Sequence, residues 1–388
     1  MQYQVVSADS HLELPPDRFT HRVPEKYRDR APKRIKLADG GEAMVVENRP
    51  LVLPGLSLSG GPPETLWPVA RCWDTGNGAG PPEQRMREQD EDGIEAEVLF
   101  PGLSGPNFWR GIRDDDTYLA VVHAYNEFLA KDYCAVNPDR LLGLGVIPEV
   151  SIGAAVAELE WCAKAGLPGI VLNAFPSGKM LPTPEDDRFW AAALDLDMPL
   201  TIHVGFRSGG TIISGSYPGP MLQYDRQIPD APQGTGNEVK LFMRYALAGG
   251  GTATQFVFGG VFDRFPNLRV YFAENNLGWI PMWLEGMDDI YRKQRVWMEK
   301  LVGLKPLARK PSEYVLEHCY WGFQNNPVGV RMRHELNVDR LMWANDFPHA
   351  ETDWPFSRDV IKNSFDGVPE DERQKMLVGN FMRFFKRK

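Results

Sequence analysis

What most constrains this chain is an alternation that runs almost its whole length. Eight short, apolar, β-rich runs occur, and most are followed by a stretch of helical periodicity. The runs fall at 5–8, 96–100, 141–147, 169–173, 200–204, 269–273, 315–321 and 341–344. Near-continuous apolar character, as in Val98-Leu99-Phe100 and Ile170-Val171-Leu172, suits strands covered on both faces, which is the situation in a parallel sheet. Helical patterns lie between them at 82–92, 115–136, 152–165, 185–196, 238–249 with a second piece toward 262, 278–300, 328–336 and 370–385. Eight βα units predict an α/β chain closed as a (β/α)8 TIM barrel. A length of 388 residues, 43% of them hydrophobic, fits one decorated barrel, so residues 1–388 are read as a single domain.

One stretch breaks the rhythm. Residues 33–82 are rich in Gly and Pro, show no helix pattern, and carry a hairpin signal around Ala38-Asp39-Gly40-Gly41-Glu42. This is an insertion after the first strand, either a lid or subunit contact or a plain structural extension. A second long loop, 205–236, follows the fifth strand.

A formal charge of -9 argues against a nucleic-acid partner, which would need bases to neutralise phosphates. No apolar run approaches the ~20 residues that cross a bilayer, and the N-terminal residues lack a basic leader or apolar signal core. No membrane partner is therefore expected, and the expected location is cytoplasmic. Cys72, Cys134, Cys162 and Cys319 are far apart with no CxxC pair, so they read as free thiols.

Barrel enzymes carry their chemistry at the carboxyl ends of the strands. His11 follows strand 1, with Asp9 two residues earlier on the same side of an extended segment. His203 lies in Thr201-Ile202-His203-Val204-Gly205, and Asp346 lies just past strand 8. Strands 8 and 1 are neighbours in a closed barrel, so Asp9, His11, His203 and Asp346 share one mouth. Two imidazoles and two carboxylates suit a single divalent ion, Zn2+ ahead of Mn2+, with a position left open. Glu274 ends strand 6 beside His203 and is a candidate general base or extra ligand. His349, three residues past Asp346, is placed to orient that carboxylate or to hold substrate. His21, His123 and His334 have no such setting, and His318 opens the predicted strand 7. Arg207 is a candidate partner for a substrate carboxylate, or for a nearby acid. Phe206, Trp279 and Phe323 are candidate walls for a planar substrate, as are Phe100, Phe175 and Trp354. Asn275 is a candidate polar contact, with Asn173 and Asn325 behind it.

Taken together, these segments resemble the amidohydrolase superfamily. The branch is the one that contains aminocarboxymuconate semialdehyde decarboxylase and γ-resorcylate decarboxylase. The resemblance rests on Ser7-Ala8-Asp9-Ser10-His11-Leu12-Glu13, on the segment Gln89 to Val98, on Thr201-Ile202-His203, on Ala273-Glu274-Asn275-Asn276-Leu277-Gly278-Trp279-Ile280-Pro281, and on Trp343-Ala344-Asn345-Asp346-Phe347-Pro348-His349. It implies that His11, His203 and Asp346 bind one metal ion, with Asp9 at the first position of the paired ligand motif. Glu274 stands where many relatives have a proton-transferring histidine. The resemblance implies non-oxidative decarboxylation of a carboxylated aromatic or enolic small molecule, with Asp346 or Glu274 moving the proton. A metal-dependent hydrolase using Glu274 or Asp346 as base is the alternative, and a metal-binding scaffold without catalysis is a third reading. The resemblance also implies a homodimer or homotetramer. The 370–385 helix has an apolar face, Met376, Leu377, Phe381 and Phe384, for its own barrel or for a partner.

Overall fold

Eight parallel staves close into a barrel in the computed structural model, which describes residues 3–38, 42–47, 49–52, 73, 76–102, 105–207 and 248–387. The staves are β1 (Val6–Leu12), β2 (Ala96–Pro101), β3 (in two pieces, Leu141–Gly143 and Gly145–Val146), β4 (Ile170–Ala174), β5 (Leu200–Arg207), β6 (Val270–Phe272), β7 (Cys319–Phe323) and β8 (Leu341–Trp343). Each pairs in parallel with its neighbours in chain order from β1 to β8. No ladder joins β8 to β1. The seam is instead closed by Asp346 N–H donating to Asp9 O at 2.9 Å and His11 N–H donating to Phe347 O at 2.7 Å. Interior residues such as Val98, Leu99, Ile170, Val270 and Leu341 are fully buried, as the continuous apolar runs require.

The helical layer follows from local signals. It includes α1 (Pro82–Asp92), α2 (Asp115–Phe128), α3 (Ile152–Lys164), α4 (Asp187–Asp195), α5 (Ala248–Phe258), α6 (Ile280–Val302), α7 (Pro311–His318) and α8 (Ser357–Ser364). Pro82 sits in the first turn of α1 and Gly93 ends it at φ 71°, a conformation that costs glycine nothing. Asp114 and Ser151 cap α2 and α3 by accepting from the Thr117 and Ala154 N–H groups, at 2.9 and 3.1 Å. The C-terminal segment packs on its own barrel: Met376, Leu377, Phe381 and Phe384 are buried, with the Phe384 ring 4.8 Å from Tyr320.

Part of the 33–82 stretch forms a three-stranded antiparallel sheet from Lys33–Lys36, Glu42–Val46 and Arg49–Val52. The tip of the expected hairpin, most of 53–75 including Cys72, and 208–247 with most of the 205–236 loop and the 238–249 helix lie outside the described residues. Cys134, Cys162 and Cys319 are free and buried. Among the described residues, no helix is long and apolar enough to cross a membrane.

Strand 7 begins later than expected. Residues 315–318 belong to α7, because Pro311 opens a helix whose Tyr314, Val315 and His318 all face inward, and β7 starts at Cys319. His318 is therefore a packing residue. Its ring stacks on Phe262 at 4.2 Å, Nδ1 donates to Leu268 O at 2.8 Å, and Nε2 accepts from Arg309 at 3.1 Å. Burial, reinforced by Arg269 and Arg309 and opposed by the Leu268 carbonyl, lowers its pKa from 6.5 to about 4. A histidine depressed in the folded state contributes stability that is complete above its unfolded pKa and is lost as pH falls toward the folded one. Acidification from about 6.5 to about 4 is thus expected to remove about 3 kcal/mol through this group. Urea midpoints for wild type and His318→Gln across that range check this, and parallel pH slopes in the two would refute it.

Candidate metal centre

The four sequence candidates converge at the mouth, and the backbone is irregular at or beside Asp9, His203 and Asp346. The β1–β2 register shifts between Ser7 and Ser10, around Asp9, and the β4–β5 register shifts past Leu172 and Ile202, next to His203. Bulges of this kind re-aim side chains at the rim of a barrel. Asp346 and Glu274 both follow strands at positive φ, 55° and 58°, a left-handed region that a non-glycine residue enters at a cost of about 1–3 kcal/mol. All three carboxylates, Asp9, Asp346 and Glu274, are buried.

The donor atoms are closely grouped. His11 Nε2 lies 3.1 Å from Asp346 Oδ1 and 3.5 Å from Asp9 Oδ1. His203 Nε2 lies 3.6 Å from Asp9 Oδ2 and 3.2 Å from Glu274 Oε2. Asp9, His11 and His203 form one set with all ligand atoms within 4.8 Å, and His11, Asp346 and His349 form another. Ligands bound at about 2.1 Å around one ion sit roughly 3.0–3.5 Å apart, so these spacings match a shared coordination sphere.

Protonation supports the same fit. His11 Nδ1 is 3.3 Å from the Pro101 carbonyl, which makes Nδ1 the donor and leaves a lone pair on Nε2. Burial, together with the charge on His349, lowers the His11 pKa and keeps the ring neutral. A lone pair facing the Asp346 carboxylate at 3.1 Å is repulsive unless a cation lies between them, and neither atom has a hydrogen bond of good geometry. The residues present therefore fit a divalent cation.

His349 occupies the next position out. It stacks on His11 at 3.9 Å, with Nδ1 3.0 Å from Asp346 Oδ1 and Nε2 3.1 Å from Glu13 Oε1. Burial opposes its positive charge, but the two carboxylates outweigh burial and hold its pKa well above the usual histidine value. For Asp346, burial is outweighed by the positive charge on His349, which holds the carboxyl below its usual range. Sequence reasoning did not single out Glu13, although the 9, 11, 13 spacing on an extended strand aligns it with the two ligands.

A second set of residues has no role in the sequence reading, although Ser10, Gln89 and Glu97 lie in segments that carry the resemblance. Arg85, on α1 and buried, donates through Nε to Glu97 Oε2 at 2.6 Å, through one terminal nitrogen to His11 O at 2.9 Å and through the other to Phe347 O at 3.1 Å. Its guanidinium also lies over the Phe347 ring at 4.4 Å. Gln89 donates to the same Glu97 oxygen, and Ser10 Oγ donates to Glu97 Oε1 at 3.1 Å. One cation thus pins the chain on both sides of the seam between β1 and the loop after β8.

The remaining candidates divide. Phe100 comes to the mouth, with its ring 5.3 Å from His203. Phe206 packs on Phe175 at 5.0 Å. Asn275 is committed to the backbone, accepting from Gly249 N–H and donating to Ala273 O, while Trp279 Nε1 donates to Asn275 O and its ring packs against Trp283 and Trp321. Phe323 is fully buried beside Phe365, which follows α8, so it fills the space between strand and helix layers. Trp354 donates to Glu88 O at 3.0 Å, and Asn325 accepts from Ser364. Asn275, Trp279 and Phe323 therefore serve packing, contrary to the expected substrate contact. The Arg207 side chain lies outside the described residues. His123 pairs with Glu158 and His334 with Glu372, away from the mouth.

Known proteins agree with this architecture. A curated relative, 2-amino-3-carboxymuconate-6-semialdehyde decarboxylase of Dictyostelium discoideum, is 27% identical over 53% of this chain; the match spans about half of the relative's length, 48%. A crystal structure of an amidohydrolase from Mycobacterium avium subsp. paratuberculosis superposes with a TM-score of 0.72 at 18% identity, covering 99% of this chain and 100% of the other. The 5-carboxyvanillate decarboxylase of Novosphingobium aromaticivorans, solved with bound manganese and 3-methoxy-4-hydroxy-5-nitrobenzoic acid, superposes with a TM-score of 0.63 at 18% identity over 99% and 97% of the two chains. The amidohydrolase family model matches residues 8–387, which takes in the eight staves except the first two residues of β1 and every residue of the candidate cation site, and so this chain belongs to the amidohydrolase family.

Proposed function

We propose that this chain is a metal-dependent carboxy-lyase that removes the carboxylate of a carboxylated aromatic or enolic small molecule. The observation that carries the proposal is the cluster in which Asp9, His11, His203 and Asp346 face one another, with Glu274 3.2 Å from His203 and His349 3.0 Å from Asp346. The relative that acts on a carboxymuconate semialdehyde and the manganese-bound carboxyvanillate decarboxylase support the reaction and substrate class. Asp9, His11, His203 and Asp346 would hold the ion, with Mn2+ and Zn2+ the candidates. When bound, a divalent cation there supplies positive charge for the substrate carboxylate and a neighbouring hydroxyl or enol oxygen.

The chain's own residues divide the remaining work. Asp346 is held ionised by His349, which suits ligation and not acid catalysis. Glu274 is then the carboxyl available to deliver a proton to the substrate carbon, after which the bond to the carboxylate breaks and CO2 leaves. Phe100, beside His203, offers an apolar wall for a planar ring.

The test is CO2 release from hydroxybenzoates and carboxylated enols by protein purified without chelator, with elemental analysis of the same sample. One equivalent of decarboxylated product per CO2, abolished by chelation and restored by Mn2+ or Zn2+, is expected. Metal-dependent turnover of esters, lactones or amides without CO2 release would replace this reading with hydrolysis.

A further inference from the structure

Asn345 stands between β8 and Asp346, and its buried side chain is the centre of a polar network that reaches β1, α1 and α8. Its Oδ1 accepts from the Phe347 N–H at 3.3 Å, an Asx turn that spans Asp346. The same oxygen lies 2.8 Å from the hydroxyls of Ser7 and of Ser10, the residues that bracket the register shift of β1 around Asp9. The Asn345 N–H donates to Ser7 Oγ at 3.0 Å, and Ser7 Oγ is also 2.8 Å from the Asp9 carbonyl. One residue thus holds the backbone beyond Asp346 and both ends of the irregularity at Asp9.

The other end of the amide is fixed by two helices. Asn345 Nδ2 donates to Asp92 Oδ2 at 3.0 Å. Asp92, the last residue of α1, also accepts from the N–H and the hydroxyl of Ser357, the first residue of α8, at 2.9 and 2.6 Å. Burial raises the Asp92 pKa, and these donors oppose the rise. An ionised carboxylate only accepts and a backbone N–H only donates, so Asp92 and the Phe347 N–H leave the amide a single orientation. The serine hydroxyls can donate or accept and follow it.

Asp346 sits at φ 55°, and a non-glycine residue stays in that region only where its surroundings over-determine it. We propose that Asn345, oriented by Asp92, is the positioning residue that holds Asp9 and Asp346 at ligand spacing before a cation arrives. This role rests on the reading of those two acids as ligands of one ion. Its effect is preorganisation: binding then costs no rearrangement of the acids.

Mn2+ titration of chelator-stripped protein, followed by electron paramagnetic resonance with circular dichroism of each sample, tests this. Asn345→Asp is isosteric and keeps an oxygen for Phe347, but it sets a second oxygen against Asp92 where an N–H was. Ser7→Ala removes the hydroxyl that joins Asn345 to the Asp9 irregularity. Each should weaken Mn2+ binding by about 10–100-fold, with helicity retained and an altered spectrum of the bound ion. Asn345→Asp/Asp92→Asn exchanges amide and carboxylate, so the new amide at 92 donates to the new carboxylate at 345 and still accepts the Ser357 N–H. The exchange should recover the wild-type Kd and spectrum. A network that serves the fold alone would lower urea midpoints and leave the Kd unmoved. Wild-type affinity in Asn345→Asp or Ser7→Ala, or a loss in Asn345→Asp that the exchange leaves uncorrected, would overturn the proposal and leave the metal centre standing. Ser7→Ala decides if Asn345→Asp does not fold. A wild type that takes up neither Mn2+ nor Zn2+ would remove the metal centre itself, and this role with it.

Discussion

Asp346→Asn and His203→Ala should each purify with less than about a tenth of the wild-type metal content and lose activity by roughly 10²–10⁴-fold, with the fold intact. The physical reason is the crowding of acids at the mouth. Asp9, Glu274 and Asp346 are all buried there beside a neutral His11, where the positive charge of His349 meets Asp346 and a bound cation would offset the remaining acid. Asp346→Asn is nearly isosteric, so it removes one negative charge without a cavity. Two effects on stability follow. In chelator, Asp346→Asn should fall below wild type in urea midpoint, because the protonated His349 loses the carboxylate that its charge attracts. With metal present at about 100 times its Kd, wild type should gain about 2.7 kcal/mol by linkage and the variant should gain little. Elemental analysis with paired urea titrations, with and without chelator, reads both. Unchanged metal content in the two variants would move the site elsewhere.

The largest stability loss is expected at Arg85. Arg85→Met keeps the volume but leaves Glu97 buried with its charge uncompensated, and breaking a buried pair in this way costs about 3–5 kcal/mol. Arg85 also joins the carbonyls of His11 and Phe347, the residues adjoining the seam that no strand ladder closes. Losing it should free His11 and the Asp346 loop to drift apart and weaken metal binding by about 10–100-fold, as removal of supporting groups around a metal typically does. Arg85→Met/Glu97→Gln separates the two effects. Removing the stranded charge should recover much of the stability, while the metal affinity stays low because the two carbonyls remain unclamped. Denaturation midpoints and metal titration on the same variants check this. If metal affinity returns together with stability, Arg85 acts on the fold alone.

The barrel was legible because its determinants are local and repeated. Runs such as Ile170-Val171-Leu172 between capped helices allow few other arrangements, and Asp9, His11, His203 and Asp346 are marked by standing at strand ends. Strand 7 was misplaced because Tyr314-Val315-Leu316 is apolar enough for either a strand or a buried helix, and Pro311 settles it only once the helix has something to pack on. Phe323 stands at a strand end like the ligands do, and Trp279 stands at the start of α6, yet an aromatic residue in either place can turn toward the helix layer as readily as toward the mouth.

The sequence by itself determined the repeat, the parallel sheet, and which residue types meet at the carboxyl ends, because periodicity and position along a strand are properties of the chain alone. Only the tertiary structure decided that His349 is held between Asp346 and Glu13, and that Arg85 ties α1 to the β1–β8 seam. Those facts depend on which groups distant in sequence end up about 3 Å apart. A charged residue on a helix reads as solvent-facing until a buried carboxylate and two carbonyls are brought to it.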